Sequence, residues 1–188
     1  MTITTCIFDA YGTLFDVAAA ARLAAEEPGQ DDWAAKWPAL AADWRAKQLQ
    51  YTWLRAITGE HCDFWQVTRD GLDWALERQE LDGNPELRER LLALYWELQA
   101  YPEVPEMLAA LKSAGLNTAI LSNGSPDMLN GAVGSAGLEA LLDDVLSVES
   151  VGIFNIDVQQ RYGTDPCFVT HFHRVVAKAD DEVGPAKE

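Results

Sequence analysis

The sequence predicts an α/β protein in which a parallel sheet is interrupted, after its first strand, by a helical insert. Three observations carry this expectation. The run from Met1 to Phe8 is β-branched and apolar and ends on a carboxylate, Asp9, as a buried strand would. The stretch from Val17 to about Gln99 carries only helical signals and holds all seven tryptophans, from Trp33 to Trp96. After Tyr101-Pro102 the pattern becomes helix, strand, helix, strand, the alternation expected of a parallel sheet.

Each element has a local reason. Gly12-Thr13 follows the first strand as a tight turn with a hydroxyl. The Ala-rich segment 17–27 reads as a helix stopped by Pro28-Gly29. Trp37, Leu40, Trp44, Tyr51 and Leu54 recur at helical spacing and predict one apolar face of a long helix. Asp63 to Gln79 and Pro85 to Ala100 read as two more helices, split by Asp82-Gly83-Asn84. Pro105 to Ala114 is an amphipathic helix closed by Gly115, and Leu116 to Leu121 is a short strand. A helix from Pro126 to Gly137 and a third strand from Asp143 to Val148 follow. The expected division is therefore a core of residues 1–16 and 100–178, an insert of residues 17–99, and a frayed acidic tail of residues 179–188.

Composition narrows the function classes. The 188 residues carry 30 acidic against 14 basic side chains, a net charge of −16, and no Lys/Arg stripe. Nucleic acid and anionic membranes are therefore not expected partners. Cys6, Cys62 and Cys167 are widely separated without a C-x-x-C, which suits a reducing cytoplasm. No apolar run reaches membrane-spanning length, and no secretory leader is expected from the first residues. The tryptophans of the insert suit either a homodimer face or packing within the insert. His171 and His173 fall on one face of a strand-like run near Cys167, but one H-x-H without a further placed ligand is a weak metal signal, and no metal is expected.

The candidate chemistry lies at strand ends and on the long helix. Asp9 sits where open α/β sheets place ligands, at the carboxyl end of a strand. Ser122-Asn123-Gly124 ends the second strand in the same way, and its hydroxyl, amide and backbone N–H groups suit a carboxylate. On the long helix, Arg45, Leu49 and Trp53 share a face at i, i+4 and i+8, so one cation stands among apolar groups. Taken singly, each is also an ordinary turn or surface residue. Their joint occurrence favours a site.

Asp9-Ala10-Tyr11-Gly12-Thr13-Leu14 resembles the first motif of the haloacid dehalogenase superfamily, whose first Asp is a nucleophile. Phosphatase members carry a second Asp where this chain has Tyr11, and a phenol with an ordinary pKa near ~10 is a poor general acid at neutral pH. The D-x-Y-G-T-L string is similar to that of the (S)-2-haloacid dehalogenases. The segment from Trp44 to Trp53 resembles the W-R-x-K-Q-L-x-Y-T-W of that family, and Leu121-Ser122-Asn123-Gly124 its L-S-N-G.

The resemblance implies a Rossmann-like core with a helical-bundle cap, a small 2-haloacid as substrate and no cofactor. It implies Asp9 as nucleophile, with Thr13, Ser122 and Asn123 holding it and the substrate. Arg45 is implied as the halide acceptor, and Tyr11, Leu49 and Phe64 as the apolar lining. It runs from about residue 3 to residue 154. After Phe154 the chain is atypical or truncated relative to the family, and Asn155 stands where the family's lysine would neutralise the nucleophile. Two uncompensated anions at ~4 Å and an effective dielectric near 20 repel by about 4 kcal/mol, roughly a thousandfold in rate. Arg161 stands where the family carries a tyrosine, with Tyr162 one place further on. Two other readings therefore stay open: a catalytically impaired relative, and a Mg²⁺-dependent phosphatase, which Tyr11 disfavours.

Overall fold

A computed structural model describes residues 4–151. The expectations for Asn155, Arg161, Tyr162, Cys167, His171, His173 and the tail lie outside the described residues. Three parallel strands, β1 (Thr5–Phe8), β2 (Asn117–Ser122) and β3 (Asp144–Ser147), form one sheet in the order β1-β2-β3. Phe8 pairs with Ile120, and Ser122 with Ser147, so the three strand tips stand side by side.

The sheet is apolar on both faces, as a parallel sheet must be when helices connect its strands. Ile120 is fully buried in the main core, with Phe8 and Val145 packed against that core. One residue on, Leu121 turns to the opposite face, joining Val148, Ile7 and Leu146 in a smaller cluster. This is the two-residue period of a strand expressed as two packing surfaces.

Five helices separate β1 from the segment leading to β2: α1 (Ala19–Glu26), α2 (Asp31–Ala34), α3 (Trp37–Thr58), α4 (Phe64–Arg78) and α5 (Pro85–Trp96). Asp63 caps α4 by accepting the Gln66 N–H, and Asn84 caps α5 by accepting that of Leu87. Gly59 closes α3 in the left-handed conformation at φ 73°. The ends of this excursion are laced together. Asp16 N–H donates to the Gln99 carbonyl at 2.9 Å, and Tyr101 N–H to that of Leu14 at 3.0 Å. Helix α6 (Val104–Ser113) then packs on β2, and α7 (Pro126–Ser135), capped by Ser125, on β3.

Two expectations are corrected. Leu54 is not on the buried face of α3 but half-exposed, beside Trp53 and Ile57. Arg55 and Ala56 beyond it still contact the body, so Leu54 lies off the buried stripe, which runs from Leu40 and Trp44 into the polar Gln48 and Thr52. The four-residue α2 was not foreseen, being too short to show periodicity. Of the tryptophans, Trp33 and Trp44 are buried inside the molecule, whereas Trp53 is half-exposed.

Candidate active site

The site begins with the loop after β1. The Ala10 carbonyl accepts the N–H groups of Thr13, Leu14 and Phe15 at 2.9 to 3.3 Å, and Gly12 N–H returns to the Phe15 carbonyl at 2.9 Å. Gly12 takes φ +87°, a conformation that favours glycine. This knot leaves the Asp9 side chain at the strand tip, opening to solvent, with Thr13 Oγ1 donating to its Oδ2 at 3.4 Å.

Protein packed around the Asp9 carboxyl raises its pKa above the ordinary value. The Ala10 N–H, the Arg45 charge and the Thr13 and Ser122 hydroxyls act in the opposite sense, favouring the anion. Ser122 is suited to that role. Its oxygen accepts the Gly124 N–H at 3.3 Å, which leaves its own proton for Asp9. Ser147, at the tip of β3, donates to the Gly124 carbonyl at 2.6 Å and ties the second and third tips together.

Tyr11 is buried under this loop. Its ring stacks on Tyr95 at 5.7 Å between centroids and 12° between planes, and lies 5.5 Å from the Phe64 ring. Burial, then the neighbouring Tyr95 and Asp9, push its phenol well above its ordinary pKa. The Tyr11 hydroxyl has no hydrogen-bond partner among the described residues. Gly124 is what lets the ring lie there, since a Cβ at that position would fall 2.6 Å from Tyr11 Cε2.

Helix α3 supplies the opposite wall. Arg45 reaches across to the loop, its Nη2 donating to the Tyr11 carbonyl at 2.6 Å and its Nη1 to Gln48 Oε1 at 3.0 Å. Its Nη2 would lie 3.2 Å from a Cβ at Gly12, a second reason for glycine there. Asp9, Tyr11, Thr13, Arg45, Leu49, Thr52, Trp53, Phe64, Ser122 and Asn123 together line one cavity of about 330 Å³.

All eight site residues expected from the sequence thus meet around one space. Thr52 and Trp53 line it as well; Trp53 had been placed on the Arg45 face, whereas Thr52 had not been singled out. Also unforeseen is the polar support behind Arg45, made by Gln48, Thr68 and Tyr95. No group of three or more potential metal ligands occurs among the described residues. No helix among them is long and apolar enough to cross a membrane.

A carboxylate at a strand tip of a parallel sheet, faced by an arginine from a helical excursion, defines a capped α/β enzyme core. The chain belongs to the haloacid dehalogenase-like hydrolases, whose family model matches residues 3–161, a little beyond Phe154. It is similar to (S)-2-haloacid dehalogenase 4A of Burkholderia cepacia, with 40% identity over 177 residues, covering 89% of this chain and 74% of the relative. It is 44% identical over 155 residues to (S)-2-haloacid dehalogenase 1 of a Pseudomonas species, covering 82% of this chain and 66% of that one. In structure it resembles L-2-haloacid dehalogenase from Xanthobacter autotrophicus with chloropropionic acid covalently bound. That match has a TM-score of 0.70 and 37% identity, covering 88% of this chain and 67% of the other.

Proposed function

We propose that the protein hydrolyses short (S)-2-haloalkanoic acids to (R)-2-hydroxyalkanoic acids through an aspartyl ester. The observation that carries this reading is the convergence of Asp9, Arg45, Ser122 and Asn123 on a cavity otherwise lined largely by aromatic and aliphatic side chains. The names of the relatives support the same substrate class.

In this reading an Asp9 oxygen attacks C2 of the substrate from the side opposite the halogen. The C2–halogen bond breaks as the C2–O bond forms, and the halide leaves with the electron pair toward Arg45. Water then adds to the Asp9 carbonyl carbon, and the bond from that carbon to the ester oxygen breaks. The hydroxy acid departs, Asp9 regains its carboxylate, and one proton is released. A single displacement at C2 inverts its configuration.

Each wall has its part. Thr13 and the Ser122 hydroxyl orient the attacking carboxylate, and the Asn123 amide with backbone N–H groups of the same turn receives the substrate carboxylate. Tyr11, Leu49 and Phe64 enclose the alkyl group and exclude water, which strengthens the pull of Arg45 on the developing halide. A halide needs no proton to leave, so a buried Tyr11 with a raised pKa is no handicap; in phosphoester hydrolysis it would be.

We also infer a two-domain arrangement, a core of residues 1–16 and 100–178 and a cap of residues 17–99. The backbone hydrogen bonds Asp16–Gln99 and Tyr101–Leu14, which tie the two ends of the excursion together, support that division. The free Cys6 and Cys62 support a cytoplasmic location.

The test is halide release from 2-chloropropionate, with Asp9→Asn as the control. Wild-type release and its loss, by at least about a thousandfold, in the variant are expected. No release from a folded wild-type chain would overturn the proposal. Asn155 motivates the impaired-relative reading, and Asn155→Lys separates the two. A gain in kcat of about tenfold or more identifies the missing charge as what limits this chain.

A further inference from the structure

We infer that Gln48 is a positioning residue for Arg45, holding the guanidinium at the pocket without neutralising it; the role rests on the dehalogenase reading above. Gln48 is 1% exposed, and every polar atom of its side chain is engaged. Thr68 Oγ1 donates to the Phe64 carbonyl at 2.8 Å, so toward Gln48 it can only accept. That fixes the amide: Gln48 Nε2 donates to Thr68 Oγ1 at 2.7 Å, and Oε1 faces Arg45 Nη1 at 3.0 Å. The Tyr95 hydroxyl lies within 3.0 to 3.2 Å of the same amide and closes the network. Its own pKa is pushed up to about 12, chiefly by burial, so it stays a neutral partner.

The amide itself is braced. Trp44 Nε1 donates to the Thr68 carbonyl at 2.9 Å, and Gly71 lets α4 approach the α3 backbone at Gln48. Arg45 therefore has two fixed acceptors, the Tyr11 carbonyl and the Gln48 amide, and both are uncharged. No carboxylate lies within ion-pair distance of it among the described residues, whereas Arg22, Arg55, Arg78, Arg88 and Arg90 all have one. Among the described arginines only Arg69 shares this condition, and it donates to Gln66 and does not line the cavity. An arginine paired to a carboxylate would have spent its charge. One held by neutral acceptors keeps it for an arriving anion and loses no orientation in doing so.

The experiment compares wild type with Gln48→Met, which keeps the length but removes the acceptor, and Gln48→Glu, which keeps the acceptor but adds a charge. Kinetics with 2-chloro- and 2-iodopropionate and calorimetric titration with potassium bromide are measured on each, with Tm as a check on folding. Both variants are expected to bind bromide about tenfold more weakly. Both should lose more kcat on the chloro than on the iodo substrate, because the poorer leaving group depends more on the cation. In an Arg45→Lys background, Gln48→Met should have little further effect, as expected of a residue acting through Arg45.

Equal losses on both halides, or undiminished bromide binding in the variants that fold, overturn the role of Gln48. Absence of bromide binding by the wild type overturns it too. If the wild type binds bromide but releases no halide, the dehalogenase reading fails and the bromide titration alone decides the positioning role.

Discussion

On the sheet side of the pocket, Asp9, Thr13, Ser122 and Asn123 sit at strand tips and on the loops that follow them, held mainly through the backbone. On the helix side, Arg45, Leu49, Thr52 and Trp53 ride on one helix that is held in place by side chains. The Ala10 carbonyl alone gathers three N–H groups on the first wall. On the second, the Arg45 guanidinium depends on a buried glutamine and on one carbonyl from the opposite loop. A wall knotted through its main chain is disturbed chiefly where glycine is indispensable. A wall held by side chains is disturbed one side chain at a time.

The largest difference should come from removing the cation. Arg45→Ala is expected to lower kcat by about a hundredfold to a thousandfold, as loss of a group aimed at developing charge does. Its Tm should fall only moderately, because two hydrogen bonds to the Tyr11 carbonyl and Gln48 are lost, about 1–3 kcal/mol, but no ion pair is broken. A steady-state assay beside a thermal melt checks both halves.

On the sheet side, Gly124→Ala drives a methyl group to 2.6 Å from Tyr11 Cε2 and is expected to cost about 1–3 kcal/mol of stability. Gly12→Ala strains a φ of +87° and presses on Arg45, so it should cost about 1–2 kcal/mol and lower kcat as well. Urea unfolding measures both. If either alanine proves neutral in stability, the loops are less rigid than the hydrogen bonds imply.

The pH dependence probes the Asp9 anion itself. Its pKa is raised, so kcat/KM should fall on the acid side with a midpoint above the ordinary carboxylate value of 3.8. The stability sign follows from the same direction. A carboxyl whose folded pKa is raised favours the folded state when protonated, and that contribution is lost as pH rises through the raised value. Asp9→Asn should therefore match or exceed the wild-type Tm at neutral pH, with the gap narrowing as pH falls. The smallest effect belongs to Trp53→Ala. The side chain is half-exposed, so stability should change by less than about 0.5 kcal/mol, and a moderate rise in KM should be the main consequence.

The two walls were also unequally legible in the sequence. Asp9, Thr13, Ser122 and Asn123 could be placed because strand tips announce themselves locally, by an apolar run ending in polar and glycine residues. Helical spacing put Arg45 and Leu49 on one face, and the resemblance of the Trp44–Trp53 segment to the family made them site residues. The support behind them was not, because Gln48, Thr68 and Tyr95 come from three different helices and nothing in their spacing marks them as neighbours. Gly124 read only as part of a turn, since its closeness to Tyr11 exists only once the first two tips are paired. Leu54 misled for the converse reason. An apolar residue at roughly helical spacing need not lie on the stripe that packs, which here turns to the polar Gln48 and Thr52.

If Asp9 is the nucleophile, its own oxygen becomes the product hydroxyl, and a single-turnover experiment follows that transfer. Enzyme in excess over 2-chloropropionate is reacted in ¹⁸O-labelled water, and both the product and the Asp9 peptide are weighed by mass spectrometry. The ester route predicts an unlabelled hydroxyl group in the product and ¹⁸O in the Asp9 carboxylate. Label in the product with none in Asp9 would mean that water attacks C2 directly, and the nucleophile assigned here would be wrong.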